Sequence, residues 1–289
     1  MPSYTLDGVP LDHPAGCWKL KKGTQRRPLP GARAVKVSVP GRHGDIPVTG
    51  LDLEATTFGL TFKVTGATPA GADGGYEQME RNLEALTALL GVRHRLMKLR
   101  YQAGTIVRVA DVTITANSEP EINTGAATAR ITAVVEVPGV LWRDESASTW
   151  TGAPNQIAQA VTTLADSTGP ITDALIRWTG PAVQPTIGDA ATGGWLLRTG
   201  GLLAGQRLLM DCGRMQAAIV TTDTWDLAAG TDVTGEIDAL GPGSQYRWLH
   251  LTPAVAVGDP FSRAVLVSTS ATSTDANSKV EIRATRAYL

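Results

Sequence analysis

The chain has 289 residues, 43% of them hydrophobic, which is enough for two modest cores rather than one. Its 26 Lys and Arg against 27 Asp and Glu leave a net charge of -1, which excludes the strongly positive field of a dedicated nucleic-acid binder. The 2 cysteines, Cys17 and Cys212, make neither a disulfide framework nor a zinc set, and both read as small buried hydrophobes.

The first segment is punctuated by Pro2, Pro10, Pro14, Pro28, Pro30 and Pro40, which forbid long elements. MPSYTLDGVPL lacks a basic region followed by an apolar one, and no apolar run approaches the ~20 residues that span a bilayer. The chain is therefore expected to be made and folded in a cytoplasm. Charge is uneven along it. Residues 19 to 42 hold Lys19, Lys21, Lys22, Arg26, Arg27, Arg33, Lys36 and Arg42 with no acid between them. This run reads either as a solvated face or as an arm docking onto an acidic neighbouring subunit. Lys19, Lys21, Lys22, Arg26, Arg27 and Arg33 are the candidate docking residues.

Val35, Val37 and Val39 alternate with polar residues, which predicts a short strand ended by Pro40-Gly41, and Gly41 to Asp45 reads as a turn. Leu51, Leu53 and Ala55, then Phe58, Leu60, Phe62 and Val64, predict two strands hinged near Gly59. Tyr76, Met79, Leu83, Leu86 and Leu90 form one apolar stripe at helical spacing. Glu77 and Glu80 suit the helix start, and Gly91 is placed to be the C′ residue. Leu96, Leu99 and Tyr101 lead through a turn at Gln102-Ala103-Gly104 into Ile106 to Ile114. Thr128 to Val137 alternates strictly, a long half-buried strand.

Residues 144 to 158 are small, polar and aperiodic, and the domain boundary is placed there. The expected fold is mainly β. An α+β domain, a sheet with one helix laid on it, covers residues 1–145, and an all-β, jelly-roll-like sandwich covers residues 146–289. Strands of the second half are expected at Ala174–Trp178, Trp195–Leu197, Arg207–Met210, Met215–Thr221, Tyr246–Leu251, Ala264–Val267 and Lys279–Arg286.

Motifs for catalysis are missing. His13, His43, His94 and His250 share no metal-ligand spacing, and no nucleophile elbow, Walker loop or dinucleotide fingerprint occurs. Gly241-Pro242-Gly243-Ser244 reads as a hairpin loop. No cofactor, metal or catalytic residue is assigned, and the chain is expected not to be an enzyme. Trp150, Trp178, Trp195, Trp225 and Trp248 make the second half rich in tryptophan. Buried rings suit a sandwich, whereas exposed ones would stack on sugars or partners. Trp225, flanked by Asp223 and Asp226, and Trp248 are the candidate ligand or partner aromatics.

The order of these features resembles a known family. Gly41-Arg42-His43-Gly44 precedes strands, a helix over Tyr76 to Leu90 precedes a hairpin, and the first domain closes on Val137-Pro138-Gly139-Val140-Leu141-Trp142. This is similar to the ring-forming domain of distal tail proteins from long-tailed, non-contractile bacteriophages. The run from Gly180-Pro181 through Thr192-Gly193-Gly194-Trp195 to Gly205-Gln206-Arg207-Leu208-Leu209-Met210-Asp211, and the closing Val280 to Leu289, resemble the family's galectin-like C-terminal sandwich. The resemblance implies a homohexameric ring in the virion that joins the tail tube protein to the tail tip or hub protein, with DNA only passing through. It implies a barrel-like sheet in the ring domain and outward projection of the second domain. No His-x-Asn-x-Arg sugar-binding run of true galectins is present. The alternative function is a carbohydrate-binding tail adhesin that contacts a host surface glycan.

Overall fold

The structure, a computed structural model, describes residues 3–21, 28–33, 43, 53–242, 244, 247–256 and 258–289. The chain is mainly β and divides into two compact units, Met1–Trp142 with Leu289, and Arg143–Tyr288.

The first unit runs β1 (Ser3–Leu6), β2 (Val9–Pro10), β3 (Trp18–Leu20), β4 (Thr56–Thr65), α1 (Gly75–Leu90), β5 (Met97–Ala103), β6 (Ile106–Asn117), β7 (Glu121–Asn123) and β8 (Thr128–Val137), with the short β9 (Trp142–Arg143) at its end. Its antiparallel strands follow the order β2-β1-β5-β6-β8-β4-β3, and β7 pairs with β8. β4 and β8 pair from Thr56↔Val137 to Thr65↔Thr128. The alternation of both strands explains this partnership. Phe58, Leu60, Phe62 and Val64 of β4 and Ala129, Ile131, Ala133, Val135 and Val137 of β8 all turn to one buried face. Each large side chain so buried contributes on the order of 1.5–3 kcal/mol. The turn between β5 and β6 uses Gly104 at φ +61°, where a side chain would be strained.

Several sequence expectations for this unit need correction. Of the two strands expected to hinge at Gly59, the second is the ten-residue β4, which runs unbroken with Gly59 in its interior opposite Val134, and residues 53–55 of the first form no strand. Leu53 makes only an isolated bridge to Ala32. In α1, Met79, Leu83, Leu86 and Leu90 are buried, but Tyr76 is exposed in the first turn, where the helix has not yet reached the core. Asn82 takes the remaining core position. Gly91 has φ -83°, so it ends the helix as a right-handed cap rather than as a left-handed C′ residue. The expected strand at Val35 to Val39, Leu51, and all of the Gly41 to Asp45 turn except His43 lie outside the described residues.

The second unit adds β10 (Ser148–Gly152), β11 (Gln159–Ala160), β12 (Leu175–Thr179), β13 (Ala182–Asp189), β14 (Trp195–Arg198), β15 (Gly201–Leu202), β16 (Arg207–Asp211), β17 (Gln216–Val220), β18 (Thr231–Asp232), β19 (Ile237–Leu240), β20 (Ala254–Ala256), β21 (Asp259–Ala264), β22 (Leu266–Thr272), β23 (Lys279–Ala284) and β24 (Ala287–Tyr288). One sheet has the order β10-β23-β12-β16-β17-β18; the other runs β11-β22-β13-β14-β19, with β15 on β13. Buried Trp150, Ile176, Trp178, Leu208, Val280 and Ile282 give the first sheet its apolar side, and Ile187, Leu196 and Val267 that of the second. β20 and β21 form a separate two-stranded ribbon.

Two corrections apply here. The aperiodic stretch 144–158 contains β10, in which Ser and Thr flank the buried Trp150 opposite Ile282. Of the strand expected over Tyr246 to Leu251, residues 247–250 are irregular and Leu251 makes an isolated bridge to Ile171, while Tyr246, and Gly243 of the expected hairpin loop, lie outside the described residues.

Candidate functional site

Two surfaces gather the residues singled out in the sequence. The first lies on β3, β4 and β8. Lys19 is paired in register with Lys63, and Lys63 with Arg130. All three are exposed, on the side away from the buried Trp18, Phe62, Val64, Ala129 and Ile131, so they form one cationic row across three strands. Like charges directly opposite one another are unfavourable in a sheet. Glu121 of β7, in register with Arg130 and 3.7 Å from it, ends the row. Lys21 stands beside it and lines, with Lys63, Arg130 and the half-exposed Ile122, an open groove of about 370 Å³. Arg33 is exposed elsewhere, and Lys22, Arg26 and Arg27 lie outside the described residues. Sequence reading missed Lys63 and Arg130. Their signal is cross-strand register, which no local pattern displays.

The second surface is on the sheet containing β12 and β23. Arg177 of β12 is almost fully buried beside Glu281, its register partner on β23. Its Nε donates to Glu281 Oε2 at 2.8 Å, and Lys279 Nζ reaches Glu281 Oε1 at 3.1 Å. The same guanidinium donates to Asp223 Oδ1 at 2.5 Å and to the Thr224 carbonyl at 3.3 Å, and stacks 4.3 Å from the centre of the Trp225 ring. One buried cation thus fastens the loop between β17 and β18 onto the sheet. The Arg177 hydrogen bond holds the Asp223 carboxyl below its ordinary range.

Beside that loop lies an open groove of about 640 Å³. Trp225 walls it, and Leu175, Ala218, Asp173, Asp211, Asp226 and Asp232 line it, with the exposed Arg214 at the rim. The carboxylates also serve local turns. Asp226 Oδ1 accepts the Ala228 N–H at 3.0 Å and Asp232 Oδ1 the Thr234 N–H at 2.8 Å, while Asp211 Oδ1 accepts those of Gly213 and Arg214, both at 3.0 Å. Hydrogen bonds from Thr234 hold Asp232 below the usual carboxylate range.

No family model and no curated protein matches the chain. Among solved structures it is similar to the Dit protein (gp 19.1) of SPP1, a paradigm of the hub adsorption apparatus in phages infecting Gram-positive hosts. That likeness covers 99% of both chains with a TM-score of 0.60 at 14% identity. The chain has the Dit fold. The phage P2 baseplate in its activated conformation with Ca aligns over 98% of both chains at 8% identity and a TM-score of 0.41.

Within this Dit fold the remaining candidates are placed as follows. Trp225 and Trp248 are both half-buried. Trp248, with Trp195, Arg247 and His250, borders a cleft with only about 10 Å³ of free volume, room for about one water. Among the described residues, Trp225 therefore adjoins a space of ligand size and Trp248 does not. His13 packs edge-on against Trp18 at 4.7 Å. Cys17 and Cys212 are buried and free, and burial pushes the Cys212 thiol far up. Among the described residues no group of three or more His, Cys, Asp and Glu is arranged to hold a metal ion, and no helix is long and apolar enough to cross a membrane.

Proposed function

We propose that the chain is a non-enzymatic structural protein of the virion, forming a hexameric ring that joins the tail tube of a long-tailed, non-contractile phage to its tail tip or baseplate. The observation that carries this reading is the Dit fold over essentially the whole chain. Residues 1–145 act as the ring-forming domain, and residues 146–289 as a galectin-like sandwich that projects outward and supports host attachment. The six copies repeat one heterologous contact that closes by rotation, leaving a passage for DNA.

The row Lys19, Lys63 and Arg130, with Lys21 beside it, is the docking surface for an acidic neighbour, the tail tube or the hub. Its unfavourable like-charge pairing is relieved when carboxylates of a partner face it. Phage carrying Lys19→Glu with Lys21→Glu is expected to produce no complete tails. Complete tails that instead fail to eject DNA would contradict docking.

A second reading, a carbohydrate-binding tail adhesin contacting a host surface glycan, is favoured by the groove beside Trp225.

A further inference from the structure

We propose that the groove between Trp225 and the β16–β17 hairpin binds a neutral or amine-bearing oligosaccharide, and that it rejects anionic glycans. Trp225 stacks on a sugar ring, and Asp226 and Asp232 accept its hydroxyl or ammonium protons. The inference rests on the adhesin reading and gives it a site; the ring is independent of it.

The first support is how Trp225 is held. A buried ion pair such as Arg177–Glu281 contributes little net stability compared with an apolar pair of the same shape, so its result is chiefly geometric. Here it extends to Asp223 and the Thr224 carbonyl and places a guanidinium on Trp225. The ring is fixed before any ligand arrives, and an aromatic platform that loses no freedom on binding binds more tightly.

The second support is the space. About 640 Å³ lies in the usual range for small-ligand sites, and the groove is open along its length, which suits a chain of sugar units better than a compact cofactor. Leu175 and Ala218 supply an apolar floor beside the indole. A pyranose ring has the matching character, with C–H groups on its faces and hydroxyls at its edge.

The third support is the polarity of the rim. Asp226 and Asp232 each commit Oδ1 to a backbone N–H, and the Thr234 side chain also bonds Asp232, yet a carboxylate with about four lone-pair sites keeps acceptor capacity beyond these bonds. Their turns orient them, so an acceptor oxygen is available without rearrangement. Asp173, Asp211, Asp226 and Asp232 against the lone Arg214 make the lining net negative. Phosphate-bearing or uronic polymers are repelled by that sign, whereas neutral hydroxyls and ammonium groups are accepted.

The test presents full-length protein to immobilised oligosaccharides in three sets: neutral, amine-bearing, and carboxylated or phosphorylated. A basic peptide is included as the alternative occupant. Retention on neutral or amine-bearing members and none on the anionic set is expected. Trp225→Ala is expected to weaken binding about tenfold or more, with native mass unchanged. Asp226→Asn, which keeps an acceptor for the Ala228 N–H, is expected to weaken the amine-bearing set more than the neutral one. If Trp225→Ala disturbs the loop, Asp226→Asn and Asp232→Asn still report on the site. No oligosaccharide retained by the wild type, a preference for anionic members, variants that bind like wild type, or capture of the basic peptide alone would each overturn the proposal. None of these outcomes alters the native mass, so the ring reading is tested separately.

Discussion

At the scale of single residues, the second unit commits an unusual share of its polar chemistry to Arg177 and Asp189. Removing Arg177 leaves Glu281 buried, with Lys279 as its one described cation, and an uncompensated buried charge typically costs 3–5 kcal/mol. Arg177→Ala is therefore expected to lower stability by about 3 kcal/mol in urea denaturation, Lys279 offsetting part of the loss. A change below about 0.5 kcal/mol would show that the guanidinium holds nothing. Asp189 is fully buried and accepts the Thr192 N–H at 3.0 Å, the Thr192 hydroxyl at 2.7 Å and the Thr252 N–H at 3.2 Å. Burial raises its carboxyl above the ordinary 3.8 despite these bonds. The folded state thus holds this proton more tightly than the unfolded chain, and stability falls as pH rises from 3.8 through the folded value. Asp7 behaves oppositely. Its hydrogen bond from Arg95 lowers the carboxyl, so its stabilisation is complete above 3.8 and lost as pH falls through the folded value. Denaturation measured between about pH 3 and 7 should show Asp189→Asn flattening the upper limb and Asp7→Asn the lower one; superimposable curves would contradict both assignments.

At the scale of elements, α1 is fastened to the sheet by more than its apolar stripe. Asn82 Nδ2 donates to the Thr65 and Ala67 carbonyls, both at 2.8 Å, and Gln78 Nε2 donates to Asn82 Oδ1 at 2.9 Å. These bonds satisfy the backbone where β4 ends. Asn82→Ala is expected to cost about 2 kcal/mol, more than a typical helix substitution, because two carbonyls lose their donor. On β4, Lys63→Glu converts the like-charge row into an alternating one. It is expected to raise stability by about 0.5 kcal/mol at low salt, a gain lost near 1 M salt as screening removes the repulsion.

The same elements show what the sequence could reveal. The stripe from Met79 to Leu90 and the alternation from Ala129 to Val137 are local periodicities that burial alone imposes, so both were legible. Asn82 was not, because a polar residue among leucines carries no sign of the carbonyls it meets. β10 was hidden because one tryptophan among serines and threonines makes too weak an alternation. The basic arm showed its charge, yet not that Lys63 and Arg130, distant in the chain, align with Lys19. Trp225 and its acidic neighbours were legible as a grouping, while Arg177, the residue that positions the ring, lay on another strand and could not be connected with it.

At the scale of the whole molecule, the proposed function makes one architectural claim: six copies in a closed ring. A heterologous contact repeated by rotation gives a single closed stoichiometry, whereas an open repeat gives a ladder of sizes. Obligate rings also bury large interfaces, so dissociation on dilution should be slow. Native mass of the purified full-length protein is the most direct measurement. One species at six times the 30.3 kDa chain mass is the predicted result. A stable monomer, a closed ring of another order or an open ladder of oligomers would contradict the account.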